Sequence, residues 1–115
     1  MRDPLGTVLS ALSDATRRSI VERLIHGPAT PQELAIGKTI TPQAISHHLT
    51  VLEEAGLIWR SREAQSRPCH LDAAGMRLAS AWINQYRAIW EGSFDRLAEH
   101  LSQPQGNISD DGSDH

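Results

Sequence analysis

Four side chains between Thr41 and Gly56 concentrate the hydrogen-bonding chemistry of this 115-residue chain: Gln43, Ser46, His47 and Thr50. On a helix, at about 100° per residue, they share one side with Glu54, while Ile45, His48, Leu49 and Leu52 fall on the other. A glutamine amide can donate and accept at once and so pairs bidentately with adenine; Ser and Thr hydroxyls bond several base edges or a phosphate. His47 stands on the polar side, where it could meet a base edge. His48, on the inner side, reads as a packed core histidine. Arg60, Arg62 and Arg67 follow closely and suit phosphates or a minor groove. Backbone N–H groups after Thr41 favour a phosphate too. A merely solvated polar face, with ordinary surface charge beside it, is the plain alternative.

These groups need a rigid mount, and the flanking residues supply one. Leu5, Val8, Leu9 and Leu12 repeat at helical spacing. Asp14 can cap a second helix, with Ile20, Val21, Leu24 and Ile25 as its buried stripe. Gly27-Pro28 ends it. Thr30-Pro-Gln-Glu33 is a capping box that opens a short helix stopping near Gly37. Thr41 caps the next helix, with Pro42 at its first position and Ile40 able to staple onto Ile45. Gly56 closes it. The segment from Leu57 to Glu63 reads as a strand, Ala64 to Arg67 as a turn, and Pro68 to Leu71 as a short return strand. In that strand Arg60 and Arg62 share a face opposite Trp59. Arg17 and Arg18, near a helix start, could reach a nucleic acid or bond Asp14 and neighbouring backbone, with structure favoured for at least one. Asp72 caps a long last helix whose apolar stripe runs from Met76 to Leu101. The expected fold is mainly α with a small β-hairpin: a winged helix-turn-helix of about five helices plus a two-stranded wing. Residues 1–102 form the DNA-binding and dimerisation domain, and 103–115 a disordered acidic tail.

Composition narrows the classes. No run of about 18 apolar residues could span a membrane, and no apolar signal core follows the first six residues. With the single Cys69, these point to a cytoplasmic protein, although that thiol could still react or pair across a dimer. The net charge of −3 looks unfavourable for DNA, but three aspartates lie in the tail. Without them the acidic count falls from 14 to 11, equal to the 11 Lys and Arg, so affinity needs local clustering of charge. No Ser/His/Asp set, glycine loop or metal motif is present, so the chain is not read as an enzyme.

Together, Ala11-Leu-Ser-Asp-Ala-Thr-Arg-Arg18, Gln32-Glu-Leu-Ala35, the run from Gln43 to Leu57 and the arginine hairpin ending in Leu71-Asp72 resemble the ArsR family of small bacterial winged-helix repressors. The resemblance covers roughly residues 5–101. It implies a homodimer built from the first and last helices, binding an inverted repeat at a promoter, usually as a repressor and often of its own operon. Leu5, Leu9, Trp82, Tyr86, Trp90 and Phe94 are the expected dimer residues. Family metal sensors carry paired thiols on the short helix; here Ala35 and Gly37 stand in those places, so no thiolate site can form. Asp95, Glu99 and His100 make no convincing ligand set, and no cofactor or metal is expected. The rival is a winged-helix module that binds a ligand or partner protein, with DNA binding secondary or absent. The operator, the effector and the sign of regulation stay open.

Overall fold

The computed structural model describes residues 2–62 and 65–102. Glu63, Ala64 and the acidic tail lie outside the described residues. The order is α1 (Pro4–Ala11), α2 (Ala15–Leu24), α3 (Pro31–Ala35), α4 (Pro42–Glu54), β1 (Ile58–Arg60), β2 (Cys69–Leu71) and α5 (Ala73–Ser102). Each of the first four helices opens on a side-chain cap that satisfies an otherwise orphaned N–H. Asp3 accepts from Gly6, Asp14 from Arg17, Thr30 from Glu33 and Thr41 from Ala44. The Thr30–Glu33 capping box closes in both directions.

Two compact units divide the chain, one through Ala81 and the other from Trp82. The first holds the core. Val8 and Ala11 of α1, Ile20, Val21 and Leu24 of α2, and Leu34 of α3 are buried with Ile45, Leu49 and Leu52 of α4. Leu57, Ile58 and Cys69 extend this core under the hairpin, and Ala79 of α5 joins it. In the second unit the rings of Trp82, Tyr86 and Trp90 contact one another, with Trp82 edge-on to Trp90 and Tyr86 stacked on it.

The hairpin is shorter than its sequence suggests. Ile58 pairs with Leu71, Trp59 with His70 and Arg60 with Cys69. Leu57 instead finishes α4, donating its N–H to the Leu52 carbonyl. Pro68 has no N–H to donate and contributes only a carbonyl, which accepts from Ser61. Arg62 therefore lies beyond the strand. β2 has a second neighbour: Cys69 and Ala29 exchange both backbone hydrogen bonds, at 2.7 and 3.1 Å. This bridge ties the wing to the segment that leads into α3. Ile25 departs from the expected stripe: α2 ends at Leu24, and Ile25, at its cap, is 61% exposed.

Gly56 leaves α4 at φ 76°, in the left-handed region where a side chain is disfavoured. Its carbonyl accepts from the Gly75 N–H at 2.8 Å. A Cβ on Gly75 would lie 2.8 Å from that oxygen and 3.0 Å from a Leu57 methyl. Gly75→Ala should cost about 1–3 kcal/mol, read from urea unfolding, because backbone rather than a pliable side chain must give way. An unchanged midpoint would show that the α4–α5 junction is looser than described.

Candidate nucleic-acid interface

The rotation of α4 is decided by its apolar side. Burying each of Ile45, Leu49 and Leu52 contributes about 1.5–3 kcal/mol, more than any exposed polar pair returns. With those three turned inward, Gln43, Ser46, His47 and Thr50 are all exposed, as is Glu54. The four expected contact residues thus come together on one outward side. Neither Gln43 nor Ser46 spends its side chain on a hydrogen bond within the described residues. Thr50 differs: its hydroxyl donates to the Ser46 carbonyl at 3.0 Å, so it presents an acceptor oxygen and a methyl group outward. Thr41, exposed, holds the Ala44 N–H at the start of the helix.

Beside this helix stands the wing. Arg62 is exposed and Arg67 half-buried. Arg67 holds φ 46°, a left-handed value, directly before Pro68, where extended backbone is preferred. Arg60 turns inward: it is half-buried, its Nε is enclosed without a hydrogen-bond partner, and it lies against the Cys69 thiol. Burial pushes that thiol up, and the Arg60 charge opposes the shift. Cys69 is fully buried, which disfavours the reaction or cross-dimer pairing that the sequence leaves open for its thiol. On the opposite strand face Trp59, 48% exposed, stacks on His70 with ring centroids 4.0 Å apart. The stack was not foreseen, although pairing the two strands about their turn would have set these rings opposite each other.

Arg17 and Arg18 both serve the end of α1. Arg17 donates through Nε to the Ala11 carbonyl at 2.7 Å and through Nη2 to Ser10 at 3.4 Å; Arg18 donates to Leu12 at 2.8 Å. These carbonyls close α1 and carry the negative end of the helix dipole, which suits cations; that of Ser10 also accepts from the Ser13 N–H and hydroxyl. One of the two arginine clusters of the sequence is therefore tied to backbone. Arg17 also approaches His48 Nδ1 at 3.2 Å, a link between α2 and α4 that sequence reasoning missed.

The expected dimer residues are partly accessible. Leu5 is half-buried and Leu9 40% exposed. In the second unit Trp82 and Tyr86 are half-buried, while Trp90 and Phe94 are exposed along with Ile89, Leu97 and Leu101. Among the described residues no group of three or more His, Cys, Asp or Glu could hold a metal ion, and no helix is long and apolar enough to cross a membrane.

Among the described residues, five helices and a two-stranded antiparallel hairpin, with α3 and α4 in sequence before the hairpin, define a winged helix-turn-helix protein. A helix-turn-helix domain model matches residues 12–58. The HTH-type transcriptional regulator Rv2034 of Mycobacterium tuberculosis is 44% identical over 66 residues, which are 57% of this chain and 62% of that protein. The chain thus spans under two thirds of that relative's length. The transcriptional repressor SdpR of Bacillus subtilis is 38% identical over 61 residues, 53% of this chain and 68% of SdpR. The crystal structure of an ArsR family transcriptional regulator, RHA00566, superposes with a TM-score of 0.71 at 30% identity, covering 77% of this chain and 98% of that one. The chain belongs to the ArsR family.

Asp14 joins this arrangement to pH. The Arg17 N–H, and secondarily His48 when its ring is protonated and the Arg17 charge, hold its carboxyl below the usual carboxylate range against the opposing effect of burial. A depressed folded-state value means that the stabilisation is present above the unfolded-state pKa and is lost as pH falls through the folded one. Asp14→Asn should therefore unfold at lower urea than the wild type near about pH 7, with the gap closing below about pH 4. A gap independent of pH would show that the charge of Asp14 adds nothing.

Proposed function

We propose that this chain is a homodimeric, sequence-specific DNA-binding repressor that recognises an inverted repeat and works without a bound cofactor. The observation that carries the proposal is the exposed row of Gln43, Ser46, His47 and Thr50 on a capped helix whose opposite side is buried. Such a helix enters a major groove with its N-terminal half first. Gln43 and Ser46 read base edges, His47 and Thr50 continue along the groove, and the helix start at Thr41 meets a phosphate. Arg62 and Arg67 supply the wing's phosphate contacts; Arg60 reaches a phosphate only through its terminal nitrogens.

Two-fold symmetry accounts for the apolar side of α5. Trp90, Phe94, Leu97 and Leu101 of the second unit, beside the Trp82–Tyr86 pair, are apolar groups of the kind that a second copy covers, and Leu5 and Leu9 of the first unit are the further residues assigned to the dimer. The dimer would set two reading helices about one DNA turn apart. The name of SdpR, a repressor, supports the sign of regulation, and the family supports a regulator rather than an enzyme. A cytoplasmic location fits that role.

Binding of the purified protein to the DNA upstream of its own gene, against an unrelated duplex and across a salt series, tests the proposal. Preferential binding with two protected half-sites about one turn apart supports a dimeric autoregulator. Absence of preference at every salt concentration contradicts it. Gln43→Ala should relax preference at a single half-site position by about 1–3 kcal/mol, visible in a competition series of single-base variants. An unaltered preference at all positions would remove Gln43 from base recognition. Arg67→Ala keeps a Cβ at the same φ, so it removes the charge and leaves the backbone cost in place. It should weaken binding to all sequences alike and flatten the salt dependence; a loss confined to the operator would assign Arg67 to base recognition instead.

A further inference from the structure

We propose that Arg17 and His48 are positioning residues of the reading helix, and that proton uptake by His48 breaks their link and weakens DNA binding. The proposal rests on the DNA-binding role argued above. It begins with the placement of one guanidinium. Arg17 Nε and Nη2 hold the Ala11 and Ser10 carbonyls at the end of α1, and Nη1 lies 3.2 Å from His48 Nδ1 on the inner side of α4. A single planar, rigid group thus joins three helices: α1, its own α2, and α4.

Protonation decides whether that link exists. Arginine has no acceptor and keeps its charge, so Nδ1 must accept and the imidazole must be neutral, with its proton on Nε2. When Nδ1 takes a proton it becomes a donor facing a donor, and two cations stand where one hydrogen bond was. The Asp14 carboxylate is the available alternative. It lies 3.9 Å from the same nitrogen, too far for a hydrogen bond with the neutral ring but close enough to attract a charged one. The His48 side chain is 16% exposed, so the exchange takes place largely out of water.

The groups facing His48 are few. Arg17 and Asp14 come from α2, and His47, on α4 itself, has its ring centroid 5.9 Å away. Among the described residues no ion pair or side-chain hydrogen bond joins His48 to α1, α3 or β1. His48 is also the immediate neighbour of His47, so any shift of its backbone moves the outward row. The signs of the two histidines differ. A proton on exposed His47 adds a cation toward DNA phosphates and strengthens binding; a proton on His48 unlocks the helix and weakens it.

The test is operator affinity at fixed salt for the wild type, His48→Asn and Arg17→Gln. Asparagine keeps an acceptor near the place of Nδ1 and does not titrate. Wild-type affinity should fall roughly tenfold from about pH 7.5 to about pH 5.5, the scale of one hydrogen bond to a charged group. His48→Asn should show no such fall, and Arg17→Gln should bind weakly at both pH values. Wild type and His48→Asn sharing one profile, or Arg17→Gln binding like the wild type, would overturn the proposal. Ring-nitrogen chemical shifts of His48 in the DNA-free wild type examine the link without any variant or operator. A neutral ring protonated on Nε2 supports it, and one protonated on Nδ1 refutes it. If the wild type binds no DNA at any pH, the repressor assignment fails, while the ring-nitrogen measurement still decides the link.

Discussion

Burial of Ile45, Leu49 and Leu52 fixes which side of α4 faces outward, and the proposed function depends on that choice. The three residues pack where α4 meets α1, α2, α3 and β1, so the helix is constrained along most of its length. Turning it by one residue would carry Gln43 and Ser46 toward the core and expose leucine. The polar row costs no stability to maintain, because its alternative is the loss of several buried side chains. Thr41 and Gly56 set the ends of the same helix, the first by capping and the second by a left-handed exit. Its position along its own axis is thereby fixed as well as its rotation.

Features made by neighbours in sequence were legible in the sequence. Asp14, Thr30 with Glu33, and Thr41 act within four residues of their partners, and each is recognisable as a cap from the sequence alone. The stripe of α4 and its outward row follow from one period. Contacts between distant segments were not visible in this way. Nothing near Ala29 announces that it bridges Cys69, and that bridge anchors the wing. Arg60 and Arg62 alternate on paper, but pairing stops at Arg60, so one turns against Cys69 and the other lies outside the sheet. For Arg17 and Arg18 the sequence leaves nucleic acid and backbone both open, with structure favoured for at least one, because their acceptors, the carbonyls closing α1, carry no side-chain signature.

Electrostatics here differ from those of a strongly basic DNA binder. Without the tail aspartates the chain is neutral, and Arg17, Arg18 and Arg23 all serve backbone carbonyls. Long-range attraction to DNA is accordingly weak. Affinity would then rest on a few well-placed contacts, the wing arginines and the α4 N-terminus, and on the doubling of each by symmetry. In such a system orientation counts for more than net charge. This gives the Arg17–His48 link its importance: it adds nothing to the surface potential facing DNA, but it bears on where the reading helix sits.

The most direct test of the central claim, that the outward side of α4 is the recognition surface, is amide chemical-shift mapping of the 15N-labelled protein during titration with operator DNA. The account predicts that the largest shifts fall on residues 41–50 and on the wing around Arg62 and Arg67, with the core side of α4 little changed. Shifts confined to the aromatic side of α5, with α4 silent, would contradict it and move the DNA contact away from α4.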